Sequence, residues 1–277
     1  MERRIWLRRG GGAVLFILLT YLVIITVLGF VERFLVFHPL SADQAWLPPA
    51  DAQTQEVTFP SVDGTPLVAW WLPPRQPSAG AILYAHGNGG NITHRGKVAA
   101  QLRQELGAGV LLFDYPGYGK CPGTPTEAGC YAAAGGAYRW LLDVANIAPE
   151  RVIVYGESLG GGPAVELARR VEHRALVLVF CFTSLPAVAK DHYPFLPTFT
   201  LMRMRFDNLA KMPQCRRPVF ITHGTDDRVV PFYHAEQLYA AAPEPKFLLP
   251  LEGQGHDLMV VNLYLPVLAD FLARHAP

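Results

Sequence analysis

The sequence predicts an α/β fold: a mostly parallel eight-stranded sheet with helices on both faces, preceded by one transmembrane helix. Three observations carry this expectation. Short runs of branched and aliphatic residues alternate with longer helix-like stretches along most of the chain. The last six of these runs show little apolar-polar alternation, as strands covered on both faces do. Finally, hydrophobic residues make up 51% and charged residues 17% of 277 positions, an apolar surplus beyond an ordinary core, and it is concentrated near the amino terminus.

The first element is that apolar surplus. From Gly10 to Val31 the chain reads GGGAVLFILLTYLVIITVLGFV without a charged side chain. At about 1.5 Å of rise per residue this gives roughly 33 Å of helix, enough to cross a hydrocarbon core of about 30 Å. The stretch is apolar on every face, unlike an amphipathic core helix. No small-x-small cleavage site follows promptly, so the reading is an uncleaved signal anchor, with a cleaved signal peptide as the alternative. Arg3, Arg4, Arg8 and Arg9 precede the span, and Arg33 is the only nearby basic residue after it. The positive-inside rule then keeps the amino terminus in the cytoplasm and puts the remainder on the extracytoplasmic, periplasmic side. The expected division is residues 1–33 for the arginine flank and anchor and 34–277 for the catalytic domain.

After a proline-broken linker around Trp46 to Asp51, strands are expected at Glu56–Phe59, Leu67–Trp71, Ala81–Ala85, Val110–Phe113, Val152–Tyr155, Ala175–Phe180, Val219–Thr222 and Lys246–Leu249. Helices are expected at Thr93–Leu106, opening near Asn91, and at Thr126–Val144, with Thr124 or Thr126 as cap. A third, Gly161–Val171, carries Pro163 in its first turn, where the missing N–H does no harm. Tyr233–Ala242 and Met259–His275 complete the set.

Composition excludes two classes. A net charge of +1 without a long basic run leaves no electrostatic footprint for nucleic acid. Cys121, Cys130, Cys181 and Cys215 are scattered and lack the paired short spacings of a structural zinc site, so no metal is expected.

The strongest local signal is Gly156-Glu157-Ser158-Leu159-Gly160, a G-x-S-x-G motif between a predicted strand and a predicted helix. A nucleophile on so tight a turn needs small neighbours two positions away, and Gly156 and Gly160 supply them. The Leu159 N–H then lies at a helix amino terminus, where the dipole favours a developing oxyanion. A serine hydroxyl also needs a base, and the base an orienting acid. His256, in the loop Glu252 to Asp257 between the last strand and the last helix, is the candidate base. The acid belongs after Val219–Thr222, in His223-Gly224-Thr225-Asp226-Asp227, where the residues alone leave Asp226 and Asp227 both open. The second oxyanion donor is expected from the loop His86-Gly87-Asn88-Gly89-Gly90-Asn91, with the Asn88 N–H as the choice. This loop lacks the Gly-Lys-Ser/Thr ending of a P-loop, and Gly117-Tyr118-Gly119 is too short for a dinucleotide fingerprint.

In combination, HGNGGN at His86 to Asn91, DYPGYG at Asp114 to Gly119, GESLGG at Gly156 to Gly161, HGTDDRVVP at His223 to Pro231 and GQGHD at Gly253 to Asp257 resemble the α/β-hydrolase superfamily. The resemblance runs from about Phe34 to the end. It is nearest to a branch of membrane-associated esterases, depalmitoylating thioesterases and bacterial proteins. It implies an α/β-hydrolase fold and a serine hydrolase that cleaves ester or thioester bonds through an acyl-enzyme, without a cofactor. It also selects Asp227 as the acid. Cys121 and Cys130 depart from the branch's pattern; in an oxidising compartment they could form a bridge, or they could be two unpaired small core residues.

The segment 182–213 interrupts the sheet and is too long for a simple connection, so it is expected to be a lid. Its aromatic, Leu and Met residues, Phe199 and Met202 among them, are expected to line a pocket for a small-molecule or lipid-like acyl group. Two rival readings share these motifs: a prolyl-oligopeptidase-like serine peptidase, and a non-catalytic binding protein on the same fold.

Overall fold

In the computed structural model, which describes residues 2–76, 79–257 and 259–276, eight strands form one sheet. The side chains of residues 2–14, 17 and 18, including the arginines of the expected positive flank, lie outside the described residues. The strands are β1 (Gln55–Pro60), β2 (Pro66–Leu72), β3 (Ala81–Ala85), β4 (Gly109–Phe113), β5 (Val152–Glu157), β6 (Ala175–Val179), β7 (Val219–Gly224) and β8 (Lys246–Leu251). Their order across the sheet is β8-β7-β6-β5-β3-β4-β2-β1. Every pairing is parallel except β1 with β2 and β2 with β4. Each expected strand is present, longer by up to two residues at an end or, for β6, one shorter.

Strand alternation delivers successive residues to two separate cores. In β3, Ala81, Leu83 and Ala85 pack into one cluster and Ile82 and Tyr84 into the other. In β5, Val152 and Val154 part in the same way from Ile153 and Tyr155. Helices α3 (Glu127–Asp143), α4 (Gly161–Ala168) and α8 (Tyr233–Ala241) cover the first face; α2 (Gly96–Leu106) and α9 (Val261–His275) cover the second. Central strands buried on both faces explain the missing polar alternation in the sequence. β8 differs, being an edge strand with Phe247 39% exposed, because one flank has no neighbour.

Local signals fix the helix starts. The Asn91 side chain accepts from Thr93 N at 3.1 Å and caps the turn Ile92–Arg95 ahead of α2. Thr126 caps α3 through Gly129 N at 3.0 Å. Cys121 and Cys130 are buried free thiols, so the bridge reading is corrected to the alternative of two separate core residues. The Cys121 sulfur instead accepts from Val68 N at 3.1 Å.

Helix α1 (Glu2–Val36) is continuous, and over Leu19–Val36 it is long and apolar enough to cross a membrane, with a mean hydropathy of 2.0. It runs past the boundary expected at residue 34 because its last turn packs on the domain. Glu32 is buried, and the following Phe37 meets Tyr118 and Phe206 edge-on at 6.5 and 6.3 Å.

The segment expected as a lid divides in two. Helices α5 (Leu185–His192) and α6 (Thr198–Leu201) overhang the carboxyl ends of the strands. Helix α7 (Asn208–Lys211) and Met212 instead belong to the body, with Asn208 and Met212 fully buried.

Candidate active site

The turn from β5 to α4 holds Ser158 at φ +51°, a left-handed conformation that a non-glycine residue adopts at a cost of about 1–3 kcal/mol. The strain is tolerated because the turn is wedged between elements that leave no room for relaxation. A methyl group on Gly156 would stand 2.7 Å from the Ala164 side chain, and one on Gly160 would fall on the Ala85 carbonyl oxygen. Strand and helix can close on Ser158 only with glycine at both positions.

Ser158 Oγ lies 3.1 Å from His256 Nε2, and His256 Nδ1 lies 2.6 Å from Asp227 Oδ2. The three follow the carboxyl ends of β5, β7 and β8, which parallel pairing brings to the same end of the sheet. Asp227 is 6% exposed and Ser158 8% exposed, so the arrangement is largely withdrawn from solvent.

The second oxygen of Asp227 accepts from Val229 N and Val230 N at 2.8 Å each. Asp227 thus fills the backbone-turn role ordinary for Asp in such a loop and also faces His256. Asp226 is exposed and engages through its own N–H, to Gln254 O at 3.0 Å. Burial pushes the Asp227 carboxyl up, but hydrogen bonds from His223 and His256, the charge of His256 and the Val230 N–H outweigh it. The net effect holds the carboxyl well below the usual carboxylate range.

The loop after β3 stands opposite. Leu159 and Asn88 both border the cavity above Ser158, and the Asn88 N–H donates to no group among the described residues. The Asn88 carbonyl accepts from His38 N at 3.0 Å and from the Tyr118 hydroxyl at 2.7 Å, while its side-chain amide donates to Val36 O at 3.0 Å. Three bonds therefore fix this residue.

Two residues important to this frame escaped the sequence reading. Glu157, the variable position before Ser158, takes Arg95 Nε at 2.7 Å and Gly87 N at 3.2 Å, and also accepts from the Tyr84 hydroxyl. It ties the Asn88 loop to the serine turn. Burial and the adjacent Glu157 push the Tyr84 phenol well up, so it stays protonated and donates. The second is His223, whose Nε2 lies 3.1 Å from Asp227 Oδ2 and 2.7 Å from Val230 O. A carboxylate at the motif's variable position, next to the expected nucleophile, was the available signal for Glu157. For His223 there was only adjacency to the aspartates.

Ser158 and His256 open onto a cavity of about 540 Å³, a usual size for a small-molecule site. Met202 lines it, as expected, together with Tyr193, Leu196 and Leu201. Phe199 does not, and that expectation is corrected: its side chain is 54% exposed, because a single helical turn presents Thr198, Leu201 and Met202 inward and turns Phe199 outward. Missed in the sequence were Leu185, Val188, Ala189 and His192, which also line the cavity. Leu185, Val188 and Ala189, at i, i+3 and i+4 on α5, form an apolar helix face that could have found them, with His192 one turn further on the same side.

Among the described residues no cluster of His, Cys, Asp and Glu could hold a metal ion.

The chain is similar to several known proteins. The family model described as "Alpha/beta hydrolase family" matches residues 82–210. An uncharacterized protein of Mycobacterium tuberculosis (strain CDC 1551 / Oshkosh) is 35% identical over 257 residues, 91% of each chain. Alpha/beta hydrolase domain-containing protein 17B of Homo sapiens is 34% identical over 198 residues, 70% of this chain and 66% of that one. Among solved structures, the Pyrococcus furiosus esterase Pf2001 superposes with a TM-score of 0.69 at 20% identity, covering 87% of this chain and 100% of that one.

Proposed function

Because this chain belongs to the alpha/beta hydrolase family, we propose that it is a serine hydrolase that cleaves carboxylic ester or thioester bonds of apolar acyl substrates through an acyl-enzyme at Ser158. One observation supports this above the rest. A strained, buried serine stands in hydrogen-bond sequence with His256 and Asp227 at the floor of a mainly apolar cavity.

The distances support the following chemistry. The Ser158 hydroxyl donates to His256 Nε2 and, as Oγ attacks the acyl carbon, passes its proton there. Asp227, held ionised, accepts from Nδ1–H and stabilises the imidazolium that forms. The carbonyl oxygen becomes an oxyanion received by the N–H groups of Leu159 and Asn88. Collapse of this intermediate breaks the bond to the leaving alcohol or thiol, which takes the proton from His256 Nε2. Water then repeats the sequence on the acyl-enzyme, releasing the acid and restoring Ser158.

The apolar cavity wall favours an acyl chain over a polar one, and α1 would keep the enzyme at a membrane, where such chains are found. The test is covalent labelling of the full chain by a fluorophosphonate, with turnover of acyl esters, thioesters and peptidyl amides. Labelling is expected to vanish in Ser158→Ala while the fold is retained, and esters or thioesters are expected to be cleaved fastest. Undiminished labelling of the folded variant, or preferential cleavage of peptidyl amides, overturns the reading.

A further inference from the structure

Helix α1 does more than lead into the domain. Leu28, Gly29, Glu32, Leu35 and Val36 line the cavity that holds Ser158, so its last two turns form one wall. That wall is fastened on both sides of the cavity. On one side Asn88, through its side-chain amide, donates to the terminal carbonyl of Val36. On the other, the Glu32 carboxylate receives Arg203 N at 3.1 Å and Met204 N at 3.0 Å, on the segment that returns from the lid.

This return segment belongs to no helix or strand, and its backbone donors need partners from elsewhere. Four successive N–H groups are satisfied by two carboxylates: Glu32 takes those of Arg203 and Met204, and Glu127 of α3 takes those of Arg205 and Phe206 at 2.6 and 2.9 Å. Met202, which lines the cavity, is the next residue toward the lid. Glu127 belongs to the body of the domain, whereas Glu32 belongs to the apolar helix. The lid is therefore set partly by α1.

We infer that the end of α1 is a working part of the acyl pocket, with Glu32 positioning the lid and Gly29 setting the depth available to the acyl chain. The inference deepens the acyl-hydrolase reading and rests on it. Gly29 is informative because it lines the cavity and a Cβ placed there meets nothing within 4 Å, so a larger side chain has open space to extend into without displacing its neighbours. Buried methylenes contribute about fourfold each to a specificity constant. A phenylalanine that displaces two of them should lower the decanoyl-to-acetyl ratio of kcat/KM about fifteenfold.

The experiment uses the full chain in detergent micelles with p-nitrophenyl esters from acetyl to decanoyl, and reads each variant's ratio of kcat/KM. Gly29→Phe is expected to lower the ratio about fifteenfold. Phe30→Leu, one position on, 78% exposed and outside the cavity lining, should keep it. Glu32→Ala should lower the ratio chiefly through KM for the long ester, with Glu32→Gln in between because one acceptor oxygen remains. Trypsin provides a readout independent of turnover. Cleavage after Arg203 and Arg205 should accelerate about tenfold or more in Glu32→Ala, the scale of lost charge-assisted hydrogen bonds, and less in Glu32→Gln. A ratio unchanged in Gly29→Phe, or trypsin cleavage unchanged in Glu32→Ala, overturns the inference while leaving the acyl-hydrolase reading in place. A wild-type chain that cleaves none of the esters sinks that reading, and the depth role of Gly29 with it; the trypsin rates still decide the role of Glu32.

Discussion

Replacing Asp227 by Asn tests the proposed chemistry at the point where its geometry is most demanding. The wild-type carboxylate accepts from Val229 N and Val230 N at 2.8 Å through one oxygen and from His256 Nδ1 at 2.6 Å through the other. An asparagine can keep the first pair by leaving its amide oxygen in place. Its NH2 group then faces His256 Nδ1, a nitrogen that must become an acceptor. The imidazole proton moves to Nε2, where a donor confronts Ser158 Oγ at 3.1 Å instead of a base. In serine proteases this tautomer error lowers kcat about 10⁴-fold. Here kcat is expected to fall about 10³–10⁴-fold, or about 4–5.5 kcal/mol of transition-state stabilisation. KM should change little, since Asp227 does not border the cavity. Asp226→Asn serves as the comparison. Its side chain is exposed, so its kcat should change by no more than about threefold. Steady-state hydrolysis of one p-nitrophenyl ester by both variants, with circular dichroism to establish folding, decides the matter. A larger loss in Asp226→Asn, or a loss under tenfold in Asp227→Asn, would refute the reasoning.

Further outcomes follow from the same structure. The Asp227 carboxyl is held below its unfolded value, so its contribution to stability is complete above about pH 4 and is lost as pH falls further through the folded value. Urea denaturation should therefore show Asp227→Asn destabilised near neutral pH, with the gap from wild type closing in acid; a gap that widens in acid contradicts this. Specificity constants should rise from acetyl to medium-chain esters by up to about fourfold per buried methylene. Met202→Asp should flatten that rise and Phe199→Asp should not, since only Met202 borders the cavity; equal profiles for the two would show that the pocket lies elsewhere. Four arginines before the apolar span should hold the amino terminus inside, so a reporter active only outside the cytoplasm should work when fused after Pro277. Activity of a cytoplasm-only reporter at that position would reverse the proposed orientation.

The sequence by itself determined the features that rest on local physics. Aliphatic runs reported the strands, and all eight form; β3 to β7 lack alternation because both their faces are buried. Asn91 and Thr126 marked helix starts because a side-chain oxygen can satisfy an orphan N–H only at that place. Glycines two positions on either side of Ser158 reported a turn too tight for Cβ atoms, and the serine adopts φ +51° there. What the tertiary structure alone decided depends on residues far apart in the chain. The residues by themselves left Asp226 and Asp227 equivalent and the family resemblance chose Asp227, but the physical difference comes from the fold of the β7 loop, which buries one and exposes the other. The lid's composition did not tell Met202 from Phe199, because a single helical turn has too few residues to display a face. In the sequence Glu32 is merely the first charge after an apolar span, and its partners appear only where the fold brings Arg203 and Met204 back to it, 171 and 172 residues later. Hydrophobic pattern and capping act over a few residues, whereas a carboxylate's partners and a cavity's walls are set by where the sheet order places its ends.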